Sequence, residues 1–223
     1  MTRPLAVLRP EPGNAATAGR IEARGREAIR LPLFALRALD WTPPDPAGHD
    51  ALLLTSANAP RFAGPDLGRL RQLPVFAVGE RTAEISRAAG FDVMATGTAG
   101  AAEMIALLEH HGKSRALHLA GLHRMVDAGG PVSRVIPVYA SEVLPLSTAA
   151  LAALSGSVAL LHSARAARRL GALLAEQHIA RATIAIAALS PAVATTAGPG
   201  WAEVITAATP TDDALIDAAC ARD

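Results

Sequence analysis

The chain has 223 residues, 51% hydrophobic, 18% charged and 3% aromatic, with 21 Lys+Arg against 20 Asp+Glu. That length fits one large domain or two small ones, each able to bury a core, and the high apolar fraction with a net charge of +1 excludes disorder. So balanced a charge with so few rings argues against a dedicated nucleic-acid binder, which needs an excess of Lys/Arg and aromatic platforms.

Short apolar runs recur in chain order, each followed by a stretch of helical composition. Strands are predicted over 5–9, 28–34, 51–56, 75–79, 92–96, 115–120, 134–140, 158–163, 183–187 and 203–207, with helices over 15–26, 58–70, 82–89, 99–111, 147–154, 165–178, 191–197 and 212–222. Most of the runs are continuous and do not alternate, as expected of parallel strands covered on both faces. Strand and helix in alternation mean an α/β chain with doubly wound parallel sheets. Lys113 is the sole lysine, so arginine carries the basic charge. Arginine grips carboxylates through two parallel hydrogen bonds, although an Ala- and Arg-rich genome composition would give the same skew.

An internal repeat sets the expected domain organisation. Leu54-Thr55-Ser56 leads on to Gly79 and Gly90, and Leu161-His162-Ser163 leads on to Ala187 and Gly198 at nearly the same spacing. The second copy lacks leading strands, and the N-terminus holds two strands that otherwise have no sheet. The expectation is a discontinuous domain of residues 1–36 plus 144–223, with a domain of residues 40–140 inserted, and segments 31–39 and 138–146 crossing side by side. A continuous two-domain chain cut near residue 125 is the alternative.

Familiar motifs fail. Gly112-Lys113-Ser114 has Leu107 where a phosphate-binding loop needs glycine, and it follows a helix. No GxGxxG or GxSxG occurs, and His110-His111 has no metal-ligand spacing to another His or Cys. No cofactor or metal is expected. Cys220 is the single cysteine, residues 1–13 lack the apolar core of a secretory signal, and the longest apolar stretch, 183–193, is well short of the ~20 residues that span a bilayer. A cytoplasmic monomer that binds neither nucleic acid nor membrane is therefore expected. What remains is a set of small donors at the C-terminal ends of strands, where open α/β sheets take ligands. These are Thr55, Ser56 and Asn58; Gly79, Arg81 and Thr82; Ser163 and Ser190; and Arg9 after the first strand. Each turn feeds a helix N-terminus suited to an anion, although Ser, Thr and Asn are also simply good helix caps. Together they suggest a cleft between domains that binds a polyanion through dispersed donors.

VLRP (7–10), LLLTSANA (52–59), AVGERTAEISRAAGFDV (77–93), VIPVYASE (135–142), LLHSARAARRL (160–170) and ATPTDDALI (208–216) resemble, in order and spacing, the uroporphyrinogen-III synthase family. The resemblance implies two flavodoxin-like domains joined by a two-stranded linker. It also implies an enzyme of tetrapyrrole biosynthesis that closes linear hydroxymethylbilane into uroporphyrinogen III, inverting the last pyrrole ring with loss of water: a cofactor-independent hydro-lyase. Tyr139, the only tyrosine, matches the family's tyrosine in VIPVYAS and is the implied proton donor to the departing hydroxyl. Arg9, Arg81 and Arg124, with Thr55, Ser56, Asn58, Gly79, Thr82, Ser163 and Ser190, are the implied substrate contacts. The chain departs from the family at Ala187-Ala188-Leu189-Ser190-Pro191, which replaces a glycine-led turn with threonine, and at Ala120, which replaces an arginine. The segment 127–134 is also short, so a curtailed helix is expected there. The alternatives are a non-catalytic tetrapyrrole-binding module of the same fold and a receiver-like pair, the latter lacking the acidic cluster such domains place at strand ends.

Overall fold

The computed structural model describes residues 2–98, 100–124 and 126–221. Among these the elements are β1 (Leu5–Val7), α1 (Gly13–Glu22), β2 (Ala28–Arg30), β3 (Phe34–Ala38), β4 (Ala51–Leu54), α2 (Asn58–Phe62), β5 (Val75–Val78), α3 (Glu80–Ala88), β6 (Val93–Gly97), α4 (Ala101–His110), β7 (Ala116–Gly121) and β8 (Val132–Val143). They continue with α5 (Thr148–Ala152), β9 (Val158–Leu161), α6 (Ala164–Glu176), β10 (Ala185–Ala188), α7 (Pro191–Ala197), β11 (Glu203–Thr206) and α8 (Asp212–Cys220). The chain forms two compact units: residues up to Ala35 with those from Val143 onward, and Leu36–Glu142.

The first unit carries a parallel sheet in the order β11-β10-β9-β1-β2. The second carries β3-β8-β7-β4-β5-β6, of which β8 through β6 are parallel. The two orders are the same once β4, β5 and β6 are matched to β9, β10 and β11, and β7 and β8 to β1 and β2. Only the chain order differs: the second pair precedes its partners in the first unit and follows them in the other. In each unit the winding reverses at one place, between β1 and β9 or between β7 and β4. β3 lies beside β8, with Leu39 N donating to Val138 O and Leu144 N donating to Leu33 O, so the two strands run antiparallel.

The strands form where the sequence is continuously apolar because both faces are covered. Every residue of β1, β4, β7, β9 and β10 is buried. In the first unit Ala6, Leu161 and Ile186 pack on one face with Leu170 and Leu174 of α6, while Leu5, Leu160 and Ala187 pack on the other with Ile21 and Ile216. In the second, Leu52, Leu117 and Leu119 face Leu67 and Leu70, while Leu53 and Ala116 face Met104 and Leu108. Each such leucine contributes roughly 1.5–3 kcal/mol on burial.

Several predicted elements differ from those observed. The strand expected over 28–34 stops at Arg30, since Pro32 has no N–H to continue a ladder, and a new strand starts at Phe34. The helix expected over 58–70 breaks after Phe62: Gly64 adopts φ +69° and Pro65 opens a 3-10 turn to Leu70, a left-handed conformation that glycine adopts at little cost. No helix forms among the described residues of 127–134. There Gly129 and Gly130 carry the chain round a turn into β8, which is longer at both ends than expected. Of the helices expected over 99–111 and 212–222, Ala99 and Arg222 lie outside the described residues.

Candidate functional site

In the second unit the place where the winding reverses is hollow. A cavity of about 320 Å³ is lined by Thr55 and Ser56 after β4, Val78 at the end of β5, Gly100 before α4, Gly121, His123, Arg124 and Val126 at and after the end of β7, and Tyr139 on β8. Parallel sheets leave their strand ends and following loops free to build a site at such a reversal.

Tyr139 is placed by its sheet register. A bulge between Ala120 and Gly121 brings Gly121 opposite Tyr139, and Leu122 N donates to Tyr139 O at 2.8 Å. The phenol crosses the face of Gly121 so closely that a Cβ there would lie 2.8 Å from Cζ and 2.9 Å from the hydroxyl. The ring also packs against Phe62, with centroids 6.0 Å apart. Glycine at position 121 therefore fixes where the only phenol points.

Polar groups surround it. Ser56 Oγ accepts from Asn58 N at 3.2 Å, leaving its own O–H to donate. Arg124 is partly held, Nη2 to Asp127 Oδ1 at 2.8 Å and Nη1 to the Leu122 carbonyl at 3.2 Å, whereas its Nε is buried with no hydrogen-bond partner among the described residues. Thr55 Oγ1 lies 2.9 Å from Nε2 of His118 on β7. His118 is fully buried. Burial drives its pKa down to about 4, the nearby Arg124 charge adding to the drop while the Val126 backbone and Asp127 oppose it, so the ring is neutral at physiological pH.

The matching reversal in the first unit is filled by charge. Asp212, first residue of α8, accepts from Thr17 Oγ1 at 3.0 and 2.9 Å, from Arg20 Nη1 at 2.6 Å and from Arg9 Nη1 at 3.5 Å, and lies 2.7 Å from His162 Nε2. Burial alone would raise its pKa; the His162 hydrogen bond and charge, the Thr17 hydroxyl and Arg9 outweigh that and hold the pKa at about 2. The turn carrying Arg9 is fastened by buried Asn14, whose Nδ2 donates to the carbonyls of Val7 and Arg9 and whose Oδ1 accepts from Arg30 Nε.

A family model described as uroporphyrinogen-III synthase HemD matches residues 15–217. The chain belongs to the uroporphyrinogen-III synthase family. Two solved structures share the fold. Uroporphyrinogen-III synthetase from Helicobacter pylori is 19% identical over 97% of each chain, with a TM-score of 0.65. A mutant uroporphyrinogen III synthase from the extremely thermophilic bacterium Thermus thermophilus is 15% identical over 90% of this chain and 92% of its own, with a TM-score of 0.50. No curated protein matches at a significant level. Membership makes the chain a cyclising synthase of haem and porphyrin biosynthesis acting on a tetrapyrrole. Among the described residues no helix is long and apolar enough to cross a membrane, and no three His, Cys, Asp or Glu side chains group to hold a metal ion.

Of the residues singled out in the sequence, the cavity brings together Tyr139, Thr55, Ser56 and Arg124. Asn58, Gly79, Arg81 and Thr82 lie outside its lining. Asn58 opens α2, Gly79 caps α3, Thr82 is buried within that helix, and Arg81 is exposed and paired with Glu84 at 3.0 Å. In the first unit Ser163 and Ser190 are helix caps, their Oγ atoms accepting from Ala166 N and Val193 N, while Arg9 joins the Asp212 cluster. Sequence reasoning passed over His118, Gly121 and Asp212. A histidine inside the apolar run ALHLAG was the available signal for the first; nothing local marks Asp212, whose partners Thr17 and Arg9 lie about 200 positions away.

Proposed function

We propose that the protein converts hydroxymethylbilane into uroporphyrinogen III, with Tyr139 as the proton donor and the 320 Å³ cavity as the seat of the reacting ring. The observation that carries this reading is the Tyr139 phenol, held across Gly121 in a cavity walled by Thr55, Ser56 and Arg124. The volume is at the low end of small-molecule sites, roughly 300–1,000 Å³, which suits one substituted pyrrole and not four.

As the hydroxymethyl C–O bond breaks, the ring nitrogen's lone pair stabilises the cation that forms, and the departing oxygen takes a proton to leave as water. A phenol of reference pKa ~10 is protonated at neutral pH and can supply that proton, and it regains one when the C–C bond that closes the macrocycle replaces a C–H of the last pyrrole ring. Without guidance, the free end of the last ring closes the macrocycle uninverted. The protein's task is to hold the ring so that inversion occurs, and positioning of this kind needs no covalent nucleophile. Arg124 and the Ser56 hydroxyl supply donors for carboxylate arms. Arg9, oriented by Asp212, and the capping hydroxyls of Ser163 and Ser190 supply further donors from the first unit, with Asn58, Gly79 and Arg81 as outer contacts. In this reading the enzyme is a hydro-lyase that works in the cytoplasm as a monomer, without cofactor.

The test is the isomer formed. Purified protein given hydroxymethylbilane without additives yields mainly the type III product; type I alone, the spontaneous isomer, contradicts the proposal.

A further inference from the structure

Every residue of β7 is buried, and all but His118 and the terminal Gly121 carry aliphatic side chains. Leu117 and Leu119 point into one core; His118 shares the opposite face with Ala116 and with Leu53 of β4, its register partner. Thr55, two residues beyond Leu53, projects from that same face. Its hydroxyl reaches back to His118 Nε2 at 2.9 Å while the residue lines the cavity. His118 itself does not line the cavity. It lies beneath, between Thr55 on one wall and the Val126 segment on the other.

A neutral imidazole carries one proton, and which nitrogen holds it decides what the cavity meets. Nδ1 is sealed from solvent, with no hydrogen-bond partner among the described residues; the Val126 backbone nonetheless favours a proton on the ring. A proton on Nε2 would put an N–H towards the Thr55 oxygen and leave Nδ1 a buried lone pair, against the influence of the Val126 backbone. A proton on Nδ1 accords with that influence and leaves Nε2 as an acceptor, for which Thr55 is the donor in contact among the described residues.

We propose that His118 is a positioning residue that accepts the Thr55 hydroxyl proton, so that Thr55 shows lone pairs to the cavity and receives a pyrrole N–H of the substrate. Ser56, next along the chain, has the opposite polarity: its oxygen accepts from Asn58 N, which leaves its own O–H to donate. One hydroxyl then recognises the ring nitrogen and its neighbour a carboxylate arm, and the pair fixes which way the ring faces. This inference rests on the cavity reading given above.

The first test needs no substitution. In protein labelled with ¹⁵N at histidine, the His118 resonances at neutral pH are expected to show a protonated Nδ1 and a bare, hydrogen-bonded Nε2; the reverse tautomer overturns the proposal. The second is a double-mutant cycle on turnover of hydroxymethylbilane. Thr55→Val and His118→Phe are each expected to lower kcat/KM about tenfold, the effect of one well-placed hydrogen bond. The combined variant is expected to lose about tenfold and not a hundredfold, because one residue acts through the other. Losses that multiply overturn the proposal. His118→Gln, whose amide places an acceptor near the Nε2 position, is expected to recover at least half of the lost activity, and failure to do so in a protein that melts normally counts against it. If Thr55→Val turns over at the wild-type rate, the cavity reading itself fails and this inference with it, whatever tautomer the spectrum shows.

Discussion

Position for position, Thr55 after β4 corresponds to His162 after β9, and His118 on β7 corresponds to Val7 on β1, because Leu53 pairs with His118 as Leu160 pairs with Val7. His118 and His162 thus sit at corresponding winding reversals, on different strands of the repeat. Beneath the edge, in the second unit, the ring is dry and neutral and leaves a hydroxyl-lined cavity above it. At the edge, in the first unit, the ring reaches a carboxylate and joins Arg9, Arg20 and Thr17 around it. The same backbone has become a chamber in one copy and a polar hub in the other. The chamber is open between its lining side chains, and the hub pairs Arg9 with Asp212 at 3.5 Å.

Acid separates the two edges most widely. His118 has a folded pKa of about 4 against 6.5 for the free ring, so between those values the unfolded chain binds the extra proton and stability falls as pH falls. The loss is about 3 kcal/mol over that window, and denaturant unfolding from pH 7 to 4 measures it; in His118→Phe this slope is expected to flatten. Asp212 acts in the same sense but lower. Its pKa of about 2 against 3.8 gives about 2 kcal/mol that is present above pH 4 and lost towards pH 2. Two acid steps are therefore expected, the first from the chamber and the second from the hub. A single step, or a first step that persists unchanged in His118→Phe, would break the comparison.

Substitution at the two edges reads out in different quantities. Gly121→Ala forces a Cβ into the Tyr139 phenol and is expected to cut kcat about a hundredfold, the scale of a 1 Å misplacement at a reacting group. Asp212→Asn leaves Arg9, Arg20 and His162 without their anion and is expected to lower stability by about 2 kcal/mol at pH 7, seen as a drop in Tm. It raises KM while kcat stays within about threefold of wild type. A fall in kcat as large as that of Gly121→Ala would place the hub in the chemistry after all.

Much of the fold was legible because parallel strands covered on both faces carry an unbroken apolar run: ALLL, ALHLAG and VALL each appear in the structure as fully buried strands. The overruns came where single residues overrule composition, at Pro32 and at Gly64. Of the site, Tyr139, Thr55, Ser56 and Arg124 could be singled out because they follow strand ends or match a family motif. His118 could not, since a polar residue in a core strand reads as packing until its partner across the sheet is known. Asp212 reads as an acidic residue in the first turn of a helix, and its work as a hub depends on contacts made through α1, β1 and β9 that no local spacing records.

The central claim, that the chamber carries the chemistry through its one phenol, is tested most directly by steady-state turnover of Tyr139→Phe beside its melting temperature. The expected result is a kcat at least about a hundredfold below wild type, as for loss of a general acid, with KM and Tm little changed; wild-type kcat in a normally folded Tyr139→Phe would contradict it.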